Sequence, residues 1–247
     1  MTPRRSAATT LLSTAALYGV FRAVGWLDVP ALQTPFTEAW LKVGVWVVPS
    51  VGVLCLVWRQ SIANALAELG LMSNPIAGYG FALLASLPML VAPNAGFLPA
   101  VRASAIAGTV VLTPITEEIL FRGLLFRQLH RRAGRNLVWA MVISALAFAC
   151  AHLSPGDFHT RSLGWLLGTQ IGMTTVIGVI LAWLVWRWDS LWPAIGMHTC
   201  LNLSWELYGS GLSGGIKPFP MRVASMTIAV LLTLRLTRSR RDADRLR

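Results

Sequence analysis

Acidic residues are scarce in this chain, ten Asp and Glu among 247 residues, and charged residues of both signs make up only 13% of it. Hydrophobic residues account for 55%, more apolar surface than a water-soluble domain of this length can bury. A soluble globular fold is thereby excluded, and the chain reads as an integral membrane protein. Cysteine is scarcer still. Cys55, Cys150 and Cys200 each stand in an apolar segment and show no CxxC-type spacing, so neither a disulfide framework nor a thiolate metal centre is indicated. All three read as core filler. An internal repeat and a polar stretch long enough for a second soluble domain are also lacking, which leaves one integral-membrane domain over residues 1–247.

What the chain has in abundance is apolar runs. Segments able to cross a hydrocarbon core of ~30 Å occur at about 11–27, 40–58, 76–92, 103–126, 137–153, 163–186, 191–208 and 221–236. They predict an all-α, polytopic transmembrane bundle of about eight spans. The first run follows Arg4 and Arg5 as a signal peptide would, but it contains Arg22 and lacks a small-residue cleavage site, so an uncleaved first span is expected. Loops are marked by "APNAGFLP" at 92–99, "SPGDFH" at 154–159 and "GSGLSGGIKPFP" at 209–220.

The formal charge of +11 does not call for a nucleic-acid partner, because the basic residues cluster between the apolar runs and in the tail from about 237 to 247. Arg4, Arg5, Arg59, Arg127, Arg131, Arg132, Arg135, Arg187 and the tail from Arg235 onward fall on one side, 14 basic residues in all. Five fall on the other (Lys42, Arg102, Arg161, Lys217, Arg222), and Arg22 and Arg122 lie within spans. By the positive-inside rule both termini are cytoplasmic. The Ala-, Arg- and Trp-rich composition suits the inner (cytoplasmic) membrane of a bacterium, with membrane lipid as an obligatory partner.

Against this background "TPITEEILFRGLLFRQL", residues 113–129, places charges where each is costly. Helical residues are about 100° apart, so Glu118 and Arg122 at i,i+4 share a face. Glu118 thus has a charge partner in its own helix; no such partner is evident for Glu117, which points elsewhere. The next span holds "FACAHL", with Phe148 and His152 at i,i+4 and His152 deep in an apolar helix. The seventh holds "GMHTCLNLSWE", where His198 and Asn202 share a face and Glu206 continues the stripe, while Cys200 points away. Two histidines, an amide and a carboxylate on three spans suggest a common wet cavity. His130 and His159 read as solvated loop residues, Gln170 as packing glue, and Glu206 and Arg22 as marks of span ends.

"EEILFR" (Glu117, Glu118, Arg122), "FACAH" (Phe148, His152) and "HTCLN" (His198, Asn202) resemble the EExxxR, FxxxH and HxxxN motifs of the CPBP family. That family includes the CAAX prenyl endoproteases of eukaryotes, among them the type 2 enzymes, and bacterial Abi proteins linked to bacteriocin processing and immunity. The motif-bearing core covers about 103–208. The resemblance implies an intramembrane glutamate endopeptidase without metal or other cofactor. Glu117 would be the base, assisted by His152, with His198 and Asn202 stabilising the oxyanion and Glu118, Arg122 and Phe148 supporting them. The implied substrate is a peptide or membrane protein, in particular its C-terminal region. Two alternatives stay open: a non-catalytic peptide-binding or immunity protein, and a zinc-dependent membrane protease, although HExxH is lacking.

One distance fits poorly. At 1.5 Å per residue, Glu117 lies ~15 Å from Arg127 and His198 ~14 Å from Asp189, whereas His152 lies ~24 Å from Asn136. The fifth helix is therefore expected to project into the cytoplasm, with the membrane beginning near Met141.

Overall fold

The computed structural model describes residues 3–25, 34–91, 106–134, 136–153, 160–208 and 218–237. Among them are nine helices and no strand. These are α1 (Pro3–Gly25), α2 (35–56), α3 (Ile62–Leu69), α4 (Pro75–Leu90), α5 (106–131), α6 (Leu137–Ala151), α7 (Leu163–Trp188), α8 (Trp192–Tyr208) and α9 (Pro218–Leu236). Each apolar run drawn from the sequence coincides with a helix, and α3 is an addition. Three helical stretches, Phe36–Leu56, Leu163–Trp188 and Phe219–Leu236, are long and apolar enough to cross a membrane. Most of their side chains face outward. In water that would be unfavourable, but in lipid outward apolar side chains and internally bonded helical backbone are what the solvent demands. The chain is a helical membrane bundle.

The expected loops at 92–99 and 154–159, with His159, lie outside the described residues, as do Arg102, Arg135, Lys217, the side chains of Arg4, Arg5 and Arg22, and the tail beyond 237. The third expected loop ends early: Pro218 already opens α9, its fixed φ and missing N–H suiting a first helical turn. Asn74 and Asn136 cap α4 and α6, their Oδ1 atoms accepting from Ile76 and Val138 N–H at 2.9 Å. Gly134, at φ +60°, makes the turn between α5 and α6.

The chain falls into two compact units. The first comprises Met1–Leu27, Lys42–Leu69 and Glu117–Trp183; the second comprises Asp28–Leu41, Gly70–Thr116 and Leu184–Arg247. Trp46, Leu54, Leu69, Phe121, Leu129 and Phe148 are buried in the first, where the Ser144 hydroxyl donates to the Phe121 carbonyl at 2.7 Å. In the second, α4 and α8 approach closely through glycines. A Cβ on Gly196 would meet that of Ala82 at 2.6 Å, and one on Gly78 would collide with Trp192. Pro88 lacks the N–H that would continue the α4 ladder, and the N–H of the next residue, Met89, donates to Ser225 Oγ at 3.1 Å.

Candidate active site

The winding of α5 changes around the acidic motif. Thr113–Glu118 is α-helical, while Ile106–Leu112 before it and Ile119–Phe126 after it are π-helical. Such i→i+5 stretches are rare and gather at functional sites, since the extra residue per turn re-aims the side chains around it. Glu118 and Arg122 are both fully buried, and Arg122 Nη1 donates to Glu118 Oε1 at 2.9 Å. The i,i+4 pair expected from the sequence is present. Above it the guanidinium lies 4.1 Å from the centroid of the Phe148 ring. Its Nη2 reaches the Gly178 carbonyl at 3.5 Å, an approach that any side chain on residue 178 would obstruct, since a Cβ there would lie 3.1 Å from Nη2.

Phe148 transmits this arrangement to the histidine. It is buried, edge-on to Phe121 at 5.4 Å, and its ring meets that of His152 at 4.4 Å. His152 is not deep in a helix as expected. The α6 helix ends at Ala151, and His152 caps it with its side chain 34% exposed. Its Nδ1 is 2.8 Å from the Phe148 carbonyl. A carbonyl only accepts, so Nδ1 carries a proton and, in the neutral ring, Nε2 presents a lone pair. That lone pair faces Glu117 Oε2 at 3.8 Å, too far for a direct hydrogen bond and near enough for one water to touch both.

Glu117 has its own partner, and the expectation that it lacks one is corrected. Lys42 Nζ donates to its Oε1 at 3.1 Å, and both side chains are more than nine-tenths buried. Lys42, counted with the charges on the external side, is buried in α2 over the Trp46 ring. Arg222, counted with it, is buried in α9, donating to Ser204 Oγ and to the Ser204 carbonyl at 2.9 Å each. Neither position is anomalous for a membrane protein: a lysine inside "AWLKVGVWVV" costs as much as a glutamate and calls for a counter-charge. That was the available signal for Lys42. Gly178 gave none.

Arg127 is not a loop residue but is buried within α5, which runs on to Arg131. His130, expected in a loop, is in the last turn of α5, its ring parallel to Phe126. Gln170 does serve as glue, its Nε2 donating to the His152 carbonyl at 3.3 Å.

His198 and Asn202 belong to the second unit. His198 is buried in α8, and Asn202 Nδ2 donates to the Thr109 carbonyl at 2.9 Å; Thr109 precedes Glu117 by eight residues in the chain. Glu206 is half-buried on the same helix. Of the cysteines read as core filler, only Cys200 is buried; Cys55 is intermediate and Cys150 is exposed on α6. Among the described residues no three His, Cys, Asp or Glu side chains gather as a metal site.

The fold and the first unit's geometry define an all-helical membrane protein with a buried glutamate facing a histidine. Residues 99–204 match the family model described as type II CAAX prenyl endopeptidase, Rce1-like, and this matching segment is the one that carries the three motifs. No curated protein and no solved structure matches the chain.

Proposed function

We propose that this protein is an intramembrane glutamate endopeptidase in which Glu117 activates water with the help of His152. The observation that carries the reading is the 3.8 Å gap between Glu117 Oε2 and His152 Nε2. Two acceptors facing one water take one hydrogen from each of its O–H bonds, which leaves an oxygen lone pair turned outward toward a substrate carbonyl. Glu117 then removes a proton as the oxygen attacks. The negative charge passes to the former carbonyl oxygen, for which the resemblance supplies His198 and Asn202 as donors. As the tetrahedral centre collapses, Glu117 returns the proton to the leaving amine and the C–N bond breaks. Glu118, Arg122 and Phe148 hold the histidine in place.

A zinc mechanism is less well supported by the site, because a zinc centre needs three or more ligating side chains and among the described residues no three His, Cys, Asp or Glu side chains gather. The substrate in this reading is a peptide or a membrane-protein segment, in particular a C-terminal region; the prenylated substrate of eukaryotic relatives is not carried over. The test is proteomics of protein termini in cells carrying wild-type protein or Glu117→Gln, with purified proteins in nanodiscs alongside. Glu117→Gln is near-isosteric but cannot take the proton, so the wild-type-dependent termini disappear while the variant remains inserted and folded. Near-full turnover by Glu117→Gln would overturn the reading, and turnover abolished by a chelator and restored by zinc would replace it with the metal mechanism.

A further inference from the structure

The motif residues are not the only groups that set the positions of Glu117 and His152. Side chains from α1 and α2, helices that precede the family-matching segment 99–204, bond Glu117 itself and the carbonyl of the residue before His152. Lys42 takes Glu117 Oε1 at 3.1 Å, which leaves Oε2 as the oxygen that faces the histidine. Lys42 in turn lies over the Trp46 ring, with Nζ 5.5 Å from its centroid. Trp46 is itself fixed: it is buried, its Nε1 donates to the Leu17 carbonyl at 3.1 Å, and its ring meets the edge of Phe121. Against its other neighbour, Tyr18, it stacks at 6.3 Å. The Tyr18 hydroxyl donates to the Ala151 carbonyl at 2.9 Å, one residue before His152.

We infer that Tyr18, Trp46 and Lys42 form a positioning brace that sets both the base and its histidine, with Lys42 as the charged end. The inference rests on the glutamate-protease reading. Its physical content is twofold. Lys42 assigns the two carboxylate oxygens, one to itself and one to water, so that the water is held in a single orientation. It also keeps the charge of the site balanced. When Glu117 accepts a proton, the negative charge it shared with Lys42 reappears on the substrate oxygen, and the ammonium remains to offset it in a medium of low dielectric. Arg122 also lies within electrostatic reach of Glu117, but it is already paired with Glu118 at 2.9 Å, and in the neutral tautomer His152 carries no charge.

The test measures turnover of the peptide cut fastest from a mixed-sequence peptide library, using full-length protein in nanodiscs. Lys42→Met lowers kcat by about 100-fold, the scale of a small displacement in a reacting pair, with KM near the wild-type value. Lys42→Arg restores the charge and returns kcat to within about tenfold of wild type. Tyr18→Phe removes one hydroxyl without a buried charge being stranded, so it folds, and it lowers kcat by about tenfold. Wild-type kcat in Tyr18→Phe, or in a folded Lys42→Met, with Glu117→Gln inactive, overturns the brace and leaves the protease reading standing. Turnover by Glu117→Gln, or none by wild type, overturns both.

Discussion

Glu118 and Arg122 have no exposed surface, so neither can lose its partner to water. Removing one strands a charge in a medium that solvates it poorly, at a cost of about 3–5 kcal/mol. Glu118→Ala and Arg122→Ala are each expected to lower the melting temperature in detergent and to lower activity through Phe148 and His152. The double substitution strands nothing and is milder than the sum of the two. Strict additivity of the melting shifts would mean that the pair is not energetically coupled. Glu117 differs only in where its partner comes from. Lys42 stands 75 residues away, so the same physics operates between helices rather than within one.

At the scale of elements, the eight apolar runs were legible because hydrophobic length is a local property, and the faces carrying Glu118 with Arg122 and Phe148 with His152 were legible because both are i,i+4 pairs. The Lys42 contact was not. Charge counting assigns a basic residue to a side of the membrane without asking what it is buried against, so it gave no sign that Lys42, Arg127 and Arg222 are buried. The short α3 escaped notice because its eight residues cannot cross a bilayer. It is tied to the end of α5 outside the spans, where Arg132 Nε donates to Glu68 Oε1 at 2.5 Å and Nη2 pairs with Oε2. Burial pushes the Glu68 carboxyl up, but hydrogen bonds from Arg132, Gln60 and Gln128 and the Arg132 charge outweigh it, holding the group below its ordinary 4.5. A folded value below the unfolded one means that the tie contributes fully above about pH 4.5 and is lost as pH falls through the folded value. The melting temperature of the wild type should therefore fall more steeply than that of Glu68→Gln below that pH. Parallel curves would show that the tie contributes nothing to stability.

For the whole molecule, the family-matching segment 99–204 contains the four expected catalytic residues but not Tyr18, Lys42 or Trp46. A chain truncated to begin at Gly70 is expected to lose turnover even where it reaches the membrane, because Glu117 keeps its helix and loses its counter-charge. Full activity of that truncation, measured in nanodiscs, would show that α1 and α2 are dispensable. The position of the lysine also sets an order of events in biogenesis. Ribosomes deliver the N-terminal helices first, so α2 reaches the bilayer before α5 has been made. A lysine near the start of a span can extend its long stem toward the headgroups while it waits, whereas a glutamate, with its shorter stem, has less reach. Because the cation precedes the anion in the chain, Glu117 arrives in lipid to a counter-ion already installed, and Glu118 arrives carrying its own.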